Sequence, residues 1–408
     1  MALPGGFRAL HHPDYRIYFA AQGIALVGMW MQQVSLQWLV LSLTDSPFRL
    51  GLVGTLNFAP ALLLAVVAGA VADRLPKRRL LLVTQSVLAV QALTLAALVV
   101  SGQVRYWHIC VLALVWGVVT TLELPVRQSF VMDMVGRADL VSAIALNSAA
   151  FNAARIVGPA VAGVLIARVG LAPAFVLNGV GLLVVTAVLS FLRTHGQSRR
   201  SASTTMGQDI AEGLRYGLRS PGLLVVLALL LAVSLTVFNF GVYVPLLTRH
   251  VLQRGAETFG FLMAVLGVGS VTGALAFGVR ARPPATGTLI GAATVACAGL
   301  IALSAARDVA LAAGALFVVG VASIVMVTGA NTALQLQAPD ELRGRVMSLH
   351  TLVFGGAFPI GSFLTGTVAE HWGVTVALVV NGTVGLGATG AVALWWRARR
   401  AAVVRLAP

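Results

Sequence analysis

Charge is scarce in this sequence, and lysine and cysteine are almost absent. Only 10% of the 408 residues are charged, 13 residues are acidic, and Lys77 is the single lysine. Soluble domains carry about 25% charged residues, and a chain that is 58% hydrophobic lacks the polar side chains needed to cover a surface in water. The composition therefore excludes soluble, fibrous and disordered proteins, and it predicts a protein that crosses a membrane several times.

The sequence also lacks the residue patterns of catalytic and metal sites. Cys110 and Cys297 each lie in an apolar run, and neither has a ligand-type residue at metal-binding spacing. There is no Walker A motif, and no nucleophile stands beside a base. We therefore predict that the protein is not an enzyme, that it binds no cofactor or metal, and that ATP does not drive it directly.

Twelve apolar runs are long enough to cross a bilayer, since about 20 helical residues span the hydrocarbon. The longest polar stretch, 193–221, separates six of them from the other six and contains a predicted short surface helix. We therefore predict an all-α membrane protein with two six-helix bundles, 1–192 and 222–408, joined by a cytoplasmic linker. The runs lie near 17–43, 50–72, 80–100, 107–131, 141–168, 172–192, 222–248, 257–280, 286–305, 308–335, 346–370 and 374–396.

The basic residues predict the orientation of these runs. The net charge is +15, but the 28 basic residues occur in short clusters between apolar runs, which indicates membrane topology and not nucleic-acid binding. Of these, 21 fall on the side that carries both termini, six fall on the other side, and Arg155 alone lies at mid-membrane. Because basic loops stay on the inside, we expect both termini to be cytoplasmic, with the protein in the inner (plasma) membrane.

The two halves of the sequence repeat at an offset of 203 residues. Several matches at a single offset, spread over three consecutive helices, are difficult to obtain by chance. A parallel repeat of two six-helix halves is typical of transporters that alternate access to a central site. The superposed residues are Gly117 on Gly320, Leu146 on Leu349, Phe151 on Phe354, Gly158 on Gly361, Gly163 on Gly366, Gly170 on Gly373, and Asn178-Gly179 on Asn381-Gly382.

A motif follows the second run, in the stretch "GAVADRLPKRR". It resembles the loop 2–3 signature of the major facilitator superfamily, Gly-x-x-x-Asp-Arg-x-Gly-x-Arg-Arg, with Pro76 in place of the second glycine. The resemblance implies that Asp73 helps to lock the two halves together on the cytoplasmic side, where it would face the amide-rich start of the eleventh run. The residues that fill the pattern are Gly69, Asp73, Arg74, Arg78 and Arg79.

The fifth run contains a second motif, in the stretch "FNAARIVGPAVAGVL", which begins at Phe151 and includes Arg155. Gly158, Pro159 and Gly163 resemble motif C of the drug exporters in the same superfamily, although alanines replace two of its glycines. In that family the motif accompanies export. The alternative is ordinary helix packing through small residues. The longer stretches around both motifs resemble the branch that contains enterobactin-type and macrolide-type exporters.

Polar side chains at membrane depth are expensive, so they are candidates for a substrate cavity. Amides and aromatic rings recognise large, mostly apolar solutes by stacking and by a few hydrogen bonds. The alternative for each is a hydrogen bond between helices. The candidates are Trp30, Gln33 and Gln37 on the first run, Asn239 and Tyr243 on the seventh, Asn331 and Gln335 on the tenth, and His350 on the eleventh.

Glu123 and Arg155 are the candidates for proton coupling. At 1.5 Å per residue, Glu123 lies about 10 Å and Arg155 about 20 Å from the cytoplasmic end. An arginine at that depth needs a partner, and Glu123 is the only carboxylate at comparable depth in the first half. The alternative is that Glu123 pairs with Arg127 one turn away, while Arg155 bonds to amides or carbonyls. A cross-helix pair would make Glu123 the proton carrier.

The sequence thus predicts a secondary active transporter that exports hydrophobic or amphipathic small molecules, such as drugs or siderophore-like compounds, by alternating access. Its expected partners are the solute, the proton and the lipid bilayer, and we expect it to function as a monomer. One alternative is an importer of a small metabolite with the same fold, although few charges lie at membrane depth. Another is a membrane receptor or scaffold that does not transport, although no long extramembrane domain is present.

Overall fold

The computed structural model describes residues 5–194, 215, 220–279, 284–339 and 342–406, which form helices with no strand among them. A 3-10 helix, Gly5–His11, comes first, and a π-helical turn, Leu247–Val251, follows α7. Most of the predicted linker, with its surface helix, lies outside the described residues. The helices are α1 (Pro13–Thr44), α2 (Pro47–Arg74), α3 (Lys77–Val100), α4 (Tyr106–Arg168), α5 (Ala172–Phe191), α6 (Pro221–Thr236), α7 (Phe240–Leu246), α8 (Ala256–Val279), α9 (Thr286–Ser304), α10 (Val309–Gln337) and α11 (Arg343–Leu406).

Two of these helices are each long enough to cross a bilayer twice. The first is α4, with 63 residues, and the second is α11, with 64 residues. Gly136 interrupts the first with a φ of 72°, and Gly373 interrupts the second with a φ of 81°. Glycine adopts this left-handed conformation without the clash that a Cβ would cause. The breaks divide each helix into two of the predicted runs, while α6 and α7, separated by the non-helical residues 237–239, together make up the seventh run. The described part of each of the twelve runs is therefore mainly helical, and the predicted all-α membrane fold is confirmed.

The sequence explains why these segments are helical. In hydrocarbon every backbone N–H and C=O needs an internal partner, and an apolar helix provides all of them. Proline begins α1, α2 and α6, where its missing N–H costs no hydrogen bond. Large apolar side chains such as Leu63 and Val141 are exposed, as expected of a protein whose surface meets lipid.

The described chain divides into two compact units. The first contains Met1–Asp45, Ala59–Ser203 and Arg254–Ala264, and the second contains Ser46–Phe58, Thr204–Gln253 and Val265–Pro408. Each unit therefore includes one short segment from the other half of the sequence. The beginning of α2 packs within the second unit, and the beginning of α8 packs within the first.

Buried amides connect the helices of the first unit. Asn178 of α5 donates a hydrogen bond from Nδ2 to Oε1 of Gln32 on α1 at 2.9 Å, and Gln32 donates to Oε1 of Gln91 on α3 at 3.1 Å. All three residues are buried. In the second unit Asn381, the repeat equivalent of Asn178, donates to the hydroxyl of Thr365 at 2.9 Å. Such bonds hold membrane helices together where apolar contact alone is weak.

Candidate functional site

Glu123 is buried in the first segment of α4, with about 5% of its surface exposed. Gln85 of α3 donates a hydrogen bond from Nε2 to Glu123 Oε1 at 3.0 Å. Arg127, one helical turn further along α4, places its Nη1 at 3.5 Å from the same oxygen. The carboxylate therefore has one cation and one amide as partners.

The cross-helix pair of Glu123 with Arg155 does not form, and the alternative within α4 does. Arg127 lies on the same helix face as Glu123 at the i,i+4 spacing, and both Arg127 and Gln85 contact the carboxylate oxygen Oε1. Arg155 lies instead over an aromatic ring, with its guanidinium carbon 5.9 Å from the centre of the Trp30 ring. The two ionisable groups thus belong to separate clusters.

Tyr18 of α1 is a third group beside the Glu123–Arg127 pair. Both charges act electrostatically on its hydroxyl. Its ring packs edge-on against Phe130, with centroids 6.3 Å apart. The hydroxyl is buried and has no hydrogen-bond partner within the described part of the chain. Sequence reasoning missed Gln85 and Tyr18, although both are polar residues at the edge of, or inside, apolar runs.

The loop 2–3 motif contributes two anchors to the first unit. Lys77 Nζ lies 2.6 Å from Asp133 Oδ2, and the lysine side chain is only 8% exposed. Arg78 donates from Nε to the Leu189 carbonyl at 2.7 Å and from Nη2 to the carbonyl of Ser190, at the end of α5. Basic groups at a helix C-terminus satisfy carbonyls that lack helical partners.

Of the remaining motif residues, the structure describes the side chain of Arg79 alone. Arg79 is exposed. Gly69, Asp73 and Arg74 are part of α2, but their side chains lie outside the described part of the structure. The expected role of Asp73 as a lock therefore stays a prediction.

Replacing one member of the Lys77–Asp133 pair is expected to destabilise the protein. Lys77→Met leaves Asp133 without its cation, and Asp133→Asn leaves a buried ammonium uncompensated, which costs more than the intact pair contributes. The double variant is expected to lose less than the sum of the single losses, with a coupling of about 1–3 kcal/mol. Thermal melting of the four proteins in one detergent measures this coupling, and strictly additive losses would show that the pair is not formed.

Motif C brings the backbones of two helices into contact within the first unit. A Cβ built on Gly260 of α8 would lie 2.4 Å from the Pro159 carbonyl oxygen and 2.7 Å from Gly163 Cα. On the same helix, a Cβ on Gly158 would lie 2.5 Å from Trp30 Cβ on α1. The motif glycines therefore serve two different contacts, one with α8 and one with α1.

The second unit repeats the motif C contacts. A Cβ on Gly51 of α2 would lie 2.5 Å from the Ser362 carbonyl oxygen and 3.0 Å from Gly366 Cα. Ser362 and Gly366 are the equivalents of Pro159 and Gly163 at the 203-residue offset. Residues that are equivalent in the repeat thus make similar close backbone contacts in the two units.

Two of the predicted cavity residues lie in the core of the second unit. Tyr243 and Asn239 are both fully buried. The Tyr243 hydroxyl donates to the carbonyl of Val237, and Asn239 Nδ2 donates to the Leu235 carbonyl at 2.7 Å. Ser362 Oγ also donates to Asn239 Oδ1 at 3.2 Å, which joins α11 to the segment before α7. These bonds favour the alternative of contacts between and within helices for this pair.

The other cavity candidates are less enclosed. Gln335 is exposed and donates to Asn331 Oδ1 at 2.5 Å along α10. Gln33 and Gln37 on α1 are half-buried. Gln37 Oε1 and His350 Nε2 are buried atoms with no hydrogen-bond partner among the described residues. Unsatisfied polar atoms of this kind are unusual in folded proteins and suit a site that a ligand completes.

Each unit contains an aromatic pair that includes one of two equivalent residues of the repeat. Trp30 and Phe151 form an edge-on pair with centroids 5.6 Å apart, and Phe238 and Phe354 form one at 5.1 Å. Phe151 and Phe354 are equivalent in the repeat. His350 extends the second cluster, because its ring stacks on Phe354 at 6.1 Å. Sequence reasoning identified Trp30 and His350 but used Phe151 and Phe354 only to define the repeat.

Known proteins resemble the chain over most of its length. The family model described as transmembrane secretion effector matches residues 5–406. The staphyloferrin A transporter of Staphylococcus aureus is 25% identical over 384 residues, covering 90% of this chain and 92% of the relative. The multidrug efflux pump Tap of Mycolicibacterium fortuitum is 28% identical over 386 residues, covering 89% and 90%. The enterobactin exporter EntS of Shigella boydii is 26% identical over 360 residues, covering 87% and 85%.

The fold resembles that of solved transporters. A bacterial homologue of the human lysosomal transporter Spinster, in an inward-facing and occupied conformation, aligns with a TM-score of 0.75. The alignment covers 95% of this chain and 97% of the other, at 13% identity. At this identity the likeness concerns the fold alone.

Proposed function

Because the chain belongs to the transmembrane secretion effector family of the major facilitator superfamily, we propose that it exports hydrophobic or amphipathic small molecules in exchange for protons. The protein is a membrane transporter and not an enzyme, as its relatives and fold neighbours are transporters. Export is favoured by the efflux and exporter relatives and by motif C. The solute would be a drug or a siderophore-like compound. A single copy of the protein would be able to transport it.

The observation that carries the proton coupling is the buried carboxylate of Glu123, which has Arg127 as its counter-ion in place of Arg155. A carboxylate in a membrane-spanning helix is costly, and such residues are commonly functional. Glu123 accepts a hydrogen bond from Gln85 and forms an ion pair with Arg127, whose Nη1 lies 3.5 Å from the carboxylate oxygen Oε1. When a proton binds Glu123, the carboxyl group loses its charge and its attraction to Arg127. Return of that proton to the cytoplasm would restore the pair and complete one cycle.

Alternating access requires contacts that separate and re-form. The glycine contacts between Gly163 and Gly260 and between Gly51 and Gly366 bring helix backbones together. At the second contact Thr55 of α2 also donates a hydrogen bond to the Pro359 carbonyl of α11 at 2.9 Å, and this bond would break and re-form in each cycle. We place these contacts on the outer side and Asp73 on the cytoplasmic side, with both termini in the cytoplasm of a bacterial cell and the helices in its inner membrane.

Asp73→Asn is expected to slow turnover while leaving the protein inserted and able to bind substrate. The change removes the charge that is proposed to act on the start of α11, and it retains the size of the side chain. Initial efflux rates at saturating substrate, normalised to the amount of protein in the membrane, measure the effect. A rate at the wild-type level would remove Asp73 from the switching step.

Accumulation of dyes and antibiotics in cells tests the proposed function. Cells that express the protein are expected to accumulate less of at least one compound in a broad panel than cells that carry the empty vector. A protonophore is expected to abolish the difference. No difference for any compound would contradict export, and a difference that survives the protonophore would contradict proton coupling.

A further inference from the structure

Arg155 is a basic residue at membrane depth with an aromatic partner and no acidic one. Its guanidinium carbon lies 5.9 Å from the centre of the Trp30 ring. Among the residues that the structure describes, no carboxylate forms an ion pair with it. A cation–π contact compensates less than the cost of placing an arginine in hydrocarbon. The arrangement therefore leaves a positive charge only partly balanced.

The indole of Trp30 also lacks a partner. Its Nε1 is buried, and no hydrogen-bond acceptor contacts it within the described part of the chain. Tryptophan N–H groups usually find an acceptor when they are buried. One cation and one N–H donor thus lie on the same pair of helices without any negative charge beside them. Both of these groups would be satisfied by an anionic acceptor.

Packing holds these groups in place. Gly158 lies against Trp30 Cβ, where a side chain would clash at 2.5 Å, so α4 and α1 meet closely at this point. Phe151, one turn before Arg155, packs edge-on against the Trp30 ring and is itself 40% exposed. The site therefore combines a fixed aromatic surface with a charge.

The internal repeat argues that the fold itself does not need this charge. The residue equivalent to Arg155 at the 203-residue offset is Phe358, which packs on Phe58 with centroids 4.3 Å apart. The second unit thus builds the same helix with an apolar residue at this position. If residue 155 served only to pack a helix that both units share, an apolar residue would be sufficient there, as Phe358 is in the second unit.

We infer that Arg155, Trp30 and Phe151 bind the anionic end of an amphipathic organic substrate, with a carboxylate or a similar oxyanion on Arg155 and the adjoining apolar body on the aromatic pair. The inference rests on the proposed function, since it names the class of molecule that this exporter takes. Arginine is suited to the task because its planar donor group binds carboxylates in a bidentate manner.

The test compares two probes that differ in charge, 2-naphthoate and its neutral methyl ester, by titration calorimetry of the whole protein in detergent. Wild type is expected to bind the anion at least about tenfold more tightly than the ester, as charge-assisted hydrogen bonds are strong. Arg155→Gln is expected to abolish this preference by weakening naphthoate binding about tenfold or more. Ester binding is expected to remain unchanged. Arg155→Lys, which retains the charge, is expected to keep part of the preference.

Arg168→Gln is the matched control, because it removes an exposed arginine from the end of the same helix. It is expected to bind both probes as wild type does. Equal or undetectable binding of the two probes to wild type would overturn the inference, as would an unchanged preference in Arg155→Gln. Since no proton gradient is involved, a preference for the anion in a protein that exports nothing would overturn only the proposed function. Export without such a preference would overturn only this inference.

Discussion

Glu123→Gln is expected to abolish gradient-driven efflux and to leave substrate binding within about threefold of wild type. Glutamine retains the shape of the side chain and is still able to bond with Gln85, but it neither takes up nor releases a proton. Arg127 would lose its counter-ion, yet its side chain is 28% exposed, so its desolvation is incomplete. The measurements are efflux from vesicles with an imposed pH difference and substrate affinity in detergent.

Asp308→Asn is the control for this experiment. Asp308 is an exposed carboxylate that caps the beginning of α10 by accepting a hydrogen bond from the Leu311 N–H at 2.9 Å. Asparagine is an equally good cap, so this variant removes a carboxylate without changing the fold and is expected to transport as wild type does. Full gradient-driven efflux by Glu123→Gln would exclude Glu123 from the coupling mechanism.

Gly260→Leu is expected to reduce transport more than tenfold, since any side chain there meets backbone and not a movable side chain. The Pro159 carbonyl oxygen and Gly163 Cα would lie 2.4 Å and 2.7 Å from the new Cβ. The helices would have to separate at the point where motif C brings them together. The closed arrangement of this contact would be lost, and the transport cycle with it.

Gly291→Leu is the matched control, because Gly291 is an exposed glycine of α9 with no atom within 4 Å of a Cβ built there. Transport and thermal melting of both variants separate a loss of cycling from a loss of folding. A graded series of alanine, valine and leucine at Gly260 is expected to lower transport progressively. Wild-type transport by Gly260→Leu would show that close approach at this glycine is not required.

Hydropathy and glycine spacing predicted most of this fold. The twelve apolar runs coincide with helical segments, because a bilayer leaves helices as the only means of satisfying the backbone of such a chain. The sequence did not indicate that α2 and α8 each begin within the unit of the other half. That packing depends on Gly51 and Gly260, which occur in apolar runs with many other glycines, and a pattern of small residues does not identify its partner helix.

The partners of the candidate site residues were harder to predict. Glu123 had two arginines within reach, and helix spacing alone did not show that Gln85 would come from α3 to complete the cluster with Arg127. On α1, sequence reasoning favoured Gln33 and Gln37. The structure buries the adjacent Gln32 in the amide network and leaves Gln33 and Gln37 half-buried, so their place in a cavity stays a prediction. Because α1 is apolar nearly all round, no polar face indicates which glutamine points into the unit.

Proton release upon substrate addition tests the central claim most directly. Everted membrane vesicles are acidified inside by respiration, and a compound that the cells export is then added while a pH-sensitive dye is recorded. The account predicts that wild type discharges part of the acid interior as it takes up the compound, and that Glu123→Gln gives no discharge although it still binds the compound. Uptake by wild type without any discharge, or an equal discharge by Glu123→Gln, would contradict it.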